Sequence, residues 1–240
     1  MKAGILIPCY NEEAYIGGVV QNTFHYAAEV IVVNDGSTDN TGKEAEEVGA
    51  VVLTNRINRG KGEALAAGFE HILNRTDWDA VVIMDGDGQH DPAEIPAFLK
   101  TAEDNEFQII TGDRLSGVKM GGAMPVVRWL TNKFMSQVIS RITGQKIPDS
   151  QCGYRLIKRE VLNDLELVTS RFDTESEILI RAAQKGYRIG ALPVKIIYRD
   201  ETSYINPIRD TIRFAKLVYA AVFRTKKSHG RCSVGRSGYC

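Results

Sequence analysis

Five short Val/Ile-rich runs, each leading into a stretch of helical spacing, constrain this chain more than any other feature. They are "AGILIP", "VIVVND", "AVVLT", "AVVIMD" and "FQIITGD". A helix is predicted from about Glu12 to Ala27 and a short one after Thr41. A third covers "GKGEALAAGFEHILN", where Ala64, Leu65, Gly68 and Ile72 share one face, and a fourth covers "DPAEIPAFLKTAED", with Pro in its first turn. Continuous apolar runs without strict alternation belong to strands buried on both faces. Alternating with helices, they predict an α/β fold with a mostly parallel sheet flanked by helices. Ligands of such sheets bind beyond the carboxyl ends of the strands. The polar clusters fall there: Asn11 and Glu12, then Asn34 and Asp35, then Asn58, Arg59 and Lys61, then Asp85 and Asp87, then Asp113 and Arg114.

The rest of the chain is less regular. "MPVVRWLTNKFMSQVISRITG" puts Val127, Leu130, Phe134, Val138 and Ile142 on one helical face. "DSQCGYRLIKRE" reads as a loop and short strand, "TESEILIRAAQKGYRI" as a helix closed by Gly186, and "ALPVKIIYR" as a strand. From Pro207 to Phe223 Ile208, Ile212, Ala215, Tyr219 and Val222 lie on one face and Arg209, Asp210, Arg213 and Lys216 on the other, an amphipathic helix. The expected organisation is a catalytic domain over 1–205, this helix over 206–224, and a basic Gly/Ser-rich tail over 225–240 with no fixed structure.

The net charge is zero, but residues 1–110 carry −12 and the remainder +12. An acidic first part suits metal binding, and a basic second part suits phosphates or an anionic membrane surface. No run approaches the roughly 20 apolar residues of a membrane span. No signal-peptide pattern opens the chain, and four cysteines without CxxC spacing read as free thiols of a reducing compartment. A cytoplasmic protein, peripheral at the inner face of a membrane, is the expectation. Nothing in the pattern asks for a nucleic acid.

In "VVIMDGDGQHDPAE" an apolar strand runs into Asp85 and Asp87. Two carboxylates one residue apart repel each other unless a cation intervenes, and carboxylate oxygens suit Mg2+ or Mn2+, with Gln89 able to add a neutral oxygen. A turn is the competing reading, because Asp and Gly favour turns. Asp35, before a Gly–Ser turn, can accept hydrogen bonds from a nucleobase or ribose, whereas Thr38 and Asp39 are explained by helix capping. "NRGKGEALAAGF" opens a helix whose N-terminus can receive phosphate, yet it lacks the GxxxxGK[ST] pattern, and strand one lacks GxGxxG.

"IPCYNEE", "VVNDGSTDNT", "NRGKGEALAAGF", "DGDGQHDPAE", "TGDR" and "DSQCGYRLIKR" stand in the order found in family 2 glycosyltransferases. Over about residues 3–200 the chain most resembles their polyprenyl-phosphate branch, typified by dolichyl-phosphate mannosyltransferase. The resemblance implies a GT-A fold, an NDP-sugar donor of the GDP-mannose or UDP-glucose type, a divalent metal (Mg2+ or Mn2+) and inversion at the anomeric carbon. It places Pro8, Tyr10 and Glu12 in the nucleotide pocket, and Val33 and Asp35 at base and ribose. Lys61, Asp85 and Gly86 fall on the nucleotide sugar, Asp87 and Gln89 on the metal, and Arg114 on donor phosphate or acceptor. Asp149 and Arg155 face the acceptor, with Arg199 and Ser203 at its phosphate, although Tyr204 stands where the family has Lys.

The implied reaction moves a hexose to polyprenyl phosphate, with the metal-bound Asp87 and, beside the acceptor, Asp149 as catalytic residues. A lipid phosphate is already ionised and needs no base; a sugar hydroxyl on a polysaccharide or lipid-linked sugar needs one. "RFDTESE" offers Asp173, Glu175 and Glu177 for that task, and Glu175 is the preferred candidate. A non-catalytic nucleotide-sugar-binding module is the remaining alternative.

Overall fold

Reversal of one strand inside an otherwise parallel sheet sets the architecture. The computed structural model describes residues 1–116, 124–165, 167, 173–197, 214–215 and 217–219. Among them are β1 (Ala3–Cys9), β2 (Val30–Asn34), β3 (Val51–Thr54), β4 (Ala80–Ile83), β5 (Ile109–Asp113), β6 (Arg155–Lys158) and β7 (Ile189–Pro193). The sheet order is β3-β2-β1-β4-β6-β5-β7. β6 runs antiparallel to both β4 and β5, pairing Ile83 with Arg155 and Thr111 with Arg155. The start of β6 therefore lies at the same sheet end as the carboxyl ends of the other strands.

The strands form where the apolar runs predict, because residues of both sheet faces are buried: Ile5, Leu6 and Ile7 of β1, Ile31 and Val32 of β2, and Val81 and Val82 of β4. Each such side chain contributes roughly 1.5–3 kcal/mol by leaving water. Helices α1 (Ile16–Thr23), α2 (Thr41–Glu47), α3 (Lys61–Arg75) and α4 (Ile95–Asp104) connect the first five strands. α3 buries Ala64, Leu65, Gly68, Phe69 and Ile72, the face read from its spacing. α1 is shorter than the predicted span from Glu12 to Ala27. Residues 11 and 12 are held instead by the α2 entry, where Ser37 Oγ accepts from the Asn11 N–H and Thr41 Oγ1 from the Glu12 N–H. The helix predicted after Asp91 divides into a 3-10 turn, Pro92–Glu94, and α4, with the Asp91 carboxylate capping the turn.

Three further helices follow, α5 (Val126–Thr143), α6 (Arg159–Asp164) and α7 (Thr174–Gln184). α5 departs from expectation. Its apolar face looks outward: Val127, Leu130 and Phe134 are 75%, 52% and 63% exposed. Asn132, Ser136 and Ile139 are buried instead. The inward polar stripe has backbone to satisfy. Ser136 Oγ accepts from the Ser150 N–H at 2.9 Å, and Ser140 Oγ accepts from the Ile147 N–H at 3.0 Å. α5 thus holds the segment that leads into β6.

No helix among the described residues is long and apolar enough to cross a membrane. The chain divides into two units, Met1–Thr202 and Ser203–Cys240. In the second, residues 214, 215 and 217–219 are helical. Most of the predicted amphipathic helix, the whole basic tail, Arg199, Ser203 and Tyr204 lie outside the described residues.

Candidate active site

The sequence clusters meet at one end of the sheet. β4 stops at Ile83, and the chain passes through Met84 into Asp85, Gly86 and Asp87. Lys61, at the first turn of α3, reaches Asp85 Oδ1 at 2.5 Å and Glu175 Oε1 at 2.7 Å. The negative charge at the end of β4 is therefore partly balanced by the protein itself. Burial on its own raises the Asp85 carboxyl, but the Lys61 ammonium together with His90 and Arg114 outweighs it and holds the group low, at about 2. Burial lowers the Lys61 ammonium, and the two carboxylates more than reverse this. Asp85, Lys61 and Glu175 form one ion-pair cluster, although Lys61 and Glu175 are 114 positions apart. Gly153 closes over it: a Cβ there would lie 2.5 Å from Asp85 Oδ2 and 2.8 Å from Lys61 Nζ, so a side chain at 153 would displace this pair.

Asp35 serves the same cluster from the other side. Its carboxylate accepts from Asn55 Nδ2 at 2.8 Å, from the Arg59 N–H at 3.1 Å and from the Gly60 N–H at 2.6 Å. Gly36 follows with φ +70, and a Cβ on it would meet the Ile57 and Asn58 backbone at 2.4–2.7 Å. The 34–36 turn and the 55–60 loop are clasped together, and the clasp delivers Lys61. Asp35 is 3% exposed, and these bonds occupy both of its oxygens. Asn55 was not anticipated; its only signal was its place just after a strand.

Pro8 and Val33 are register partners across β1 and β2 and are buried. Tyr10 and Glu12 are half-buried at the end of β1, and Gly86 lies against Cys9 and close to Glu12. Asp87 and Gln89 are half-buried in the loop after β4, with Asp87 Oδ1 accepting from the Gln89 N–H at 2.9 Å.

The acceptor-side residues are more enclosed than expected. Arg114 donates to Asp149 through Nε at 2.7 Å and Nη2 at 3.1 Å, and Asp149 has no exposure. This paired geometry joins the end of β5 to the loop before β6. Arg155 is 1% exposed and donates to the backbone carbonyls of Glu175, Cys152 and Ser150. It is thus turned inward, knitting the 150–152 loop to α7 rather than facing an acceptor. Glu175 is 5% exposed and engaged with Lys61. His90, which sequence reasoning passed over, is buried and stacked on Tyr154; burial pushes its imidazole down to about 4, so it is neutral.

Among the described residues no group of three or more His, Cys, Asp or Glu side chains forms a metal cage. Asp87 with Gln89 is a small oxygen donor set. Such a set fits Mg2+ or Mn2+, which take one or two carboxylates and complete their shell with water and substrate phosphates.

Comparison with known proteins agrees with this geometry. The family model described as glycosyl transferase family 2 matches residues 4–166. The UDP-N-acetylglucosamine–dolichyl-phosphate N-acetylglucosaminyltransferase of Methanococcus voltae is 31% identical over 216 residues, covering 82% of this chain and 86% of that protein. Glycosyltransferase AglJ of Haloferax volcanii is 29% identical over 226 residues, covering 94% of this chain and 72% of its own. Glucosyl-3-phosphoglycerate synthase of Mycobacterium tuberculosis, solved with Mn2+, uridine diphosphate and phosphoglyceric acid, superposes with a TM-score of 0.69 at 20% identity, covering 93% and 78% of the two chains. That likeness establishes the GT-A fold. With its strand-end carboxylates, its reversed β6 and this match over most of its length, the chain belongs to glycosyl transferase family 2, and its relatives include a dolichyl-phosphate glycosyltransferase.

Proposed function

We propose that this chain is an inverting, metal-dependent hexosyltransferase that moves a sugar from an NDP-sugar to polyprenyl phosphate at the inner face of a membrane. One observation carries the choice of acceptor. Glu175, the carboxylate preferred as a general base, is buried and tied through Oε1 to Lys61, and the other catalytic candidate, Asp149, is buried and paired with Arg114. A buried carboxylate turned toward a cation is poorly placed to reach an acceptor hydroxyl. An acceptor that arrives already ionised needs no base. The relative from Methanococcus voltae acts, by its name, on dolichyl phosphate and takes its sugar from a UDP donor.

In this reading the nucleotide lies over the ends of β1 and β2, bounded by Pro8, Tyr10, Glu12 and Val33, with Asp35 shaping the pocket through its clasp. The sugar lies at Asp85 and Gly86. Asp87 and Gln89 hold Mg2+ or Mn2+, which when bound neutralises charge on the leaving diphosphate. An acceptor phosphate oxygen forms the new bond to the anomeric carbon as the carbon–oxygen bond to the diphosphate breaks. The electron pair leaves with the diphosphate, and no proton moves. The family resemblance assigns the acceptor phosphate to Arg199 and Ser203, which lie outside the described residues. Placement at a membrane is supported by the outward stripe of Val127, Leu130 and Phe134, with Lys133 and Arg141 also exposed on α5. Apolar and basic side chains on one exposed helix suit an anionic lipid surface.

The test is direct. The protein with Mn2+ receives UDP-glucose, UDP-N-acetylglucosamine or GDP-mannose, each labelled in the sugar, and a short polyprenyl phosphate. Label is expected on the lipid phosphate with inverted configuration, lost with excess chelator and in Asp87→Asn. Transfer to hydroxyl acceptors alone would favour the polysaccharide reading. Nucleotide binding with neither transfer nor hydrolysis would mark a non-catalytic module.

A further inference from the structure

His90 ends the acidic loop, and no step of the reaction above uses it. It is 5% exposed, an uncommon place for an imidazole that does nothing. Its surroundings give it a task. The Asp85 N–H donates to His90 Nδ1 at 3.2 Å. This N–H lies where the sheet opens. Ile83 and Arg155 are the last register pair of β4 and β6, and the next carbonyl of β6, that of Tyr154, accepts from Gly112. A part-buried backbone donor in such a place takes its partner from outside the ladder. The imidazole supplies it.

The ring is also fixed from behind. Its plane stacks on Tyr154, with centroids 4.8 Å apart and planes at 14°. The Tyr154 hydroxyl donates to the Asp91 carbonyl at 3.0 Å, and Phe98 packs against the same phenol at 4.6 Å. Because Nδ1 accepts, the proton sits on Nε2, 3.8 Å from Asp85 Oδ2. One ring therefore addresses the backbone and the carboxylate of Asp85. Residues 85 and 91 are pinned to one His–Tyr stack, and Asp87 and Gln89 lie between them.

We propose that His90 is a positioning residue: through Nδ1 it fixes the Asp85 peptide and sets the loop that presents Asp87 and Gln89 to the metal–nucleotide. This rests on the metal and donor reading above. Residues that orient metal ligands typically change metal affinity by about 10–100-fold when removed.

Three variants separate the acceptor atom from the rest of the ring. His90→Asn keeps an acceptor near the Nδ1 position. His90→Gln carries its amide further out, near Nε2. His90→Phe keeps the stack on Tyr154 and removes the acceptor. The readouts are binding of Mn2+ with UDP and with GDP, followed by the electron paramagnetic resonance of free Mn2+, and hydrogen exchange at the Asp85 amide. His90→Phe and His90→Gln are expected to bind at least about 10-fold more weakly, with faster exchange at Asp85. His90→Asn should recover most of the affinity and protection. If His90→Phe, folded by circular dichroism, binds like the parent, or if His90→Asn binds as weakly as His90→Phe, the proposal is overturned. A parent protein that binds no Mn2+ with either nucleotide overturns the metal reading, and this inference with it.

Discussion

The half of the sheet built from β1 to β4 and the half around β6, α5 and α7 reach the same site by opposite routes. In the first, helices turn apolar faces inward, as α3 does with Leu65, Phe69 and Ile72, and charged groups such as Asp35 and Asp85 stand at the strand ends. In the second, polar groups go inside. α5 spends Ser136 and Ser140 on the backbone of the segment before β6, Arg155 serves carbonyls, and the Arg114–Asp149 pair is shut away from water. The apolar side chains that would have filled this space, Leu130 and Phe134, face out. The first half is stabilised by area, which tolerates small errors of shape. The second depends on individual bonds, each of which leaves an unpaired buried group when broken.

Lys61 joins the halves, and its loss should have the largest effect. Lys61→Met leaves Asp85 and Glu175 facing each other without a cation; breaking a buried pair costs about 3–5 kcal/mol. Urea denaturation measures this, and adding Glu175→Gln should restore part of the loss. A cost below about 1 kcal/mol would place the cluster in the range of exposed ion pairs. Ser136→Ala comes next. It strands the Ser150 N–H and should cost about 1–3 kcal/mol, more than a surface Ser on an ordinary helix. Phe134→Gln should have the smallest effect on the fold, within about 0.5 kcal/mol of the parent, yet should weaken sedimentation with anionic liposomes. If Phe134→Gln destabilises more than Ser136→Ala, α5 is an ordinary helix and the contrast between the halves fails.

The same contrast decides what could be read in advance. The strands of the first half were legible because burial on both faces leaves unbroken Val/Ile runs, and the strand-end carboxylates were legible as charge at the end of apolar sequence. The orientation of α5 was not. Val127, Leu130 and Phe134 have the spacing of a core face, and only the need of Ser150 and Ile147 for acceptors explains why they are not one. The link from Lys61 to Glu175 spans nearly half of the chain and follows no period. The inward turn of Arg155 depends on where carbonyls 150, 152 and 175 converge, which no local pattern encodes. His90 stood in plain view beside Gln89, but a histidine in a polar loop gives no sign of which peptide it will serve.

The reversed strand also governs the order of assembly. β6 lies between β4 and β5, so β5 is made before the neighbour that joins it to β4. A chain emerging from the ribosome can close β1 to β4 with α1 to α3 while β5 waits for residues 155–158. Those residues arrive about 75 positions after the strand they pair with, a loop closure that is slow but adds little to its equilibrium cost. Until then the β1–β4 half of the site exists without the Arg114–Asp149 half. The site is completed later still, when β6 has brought in the 149–153 loop and α7 carries Glu175 to Lys61.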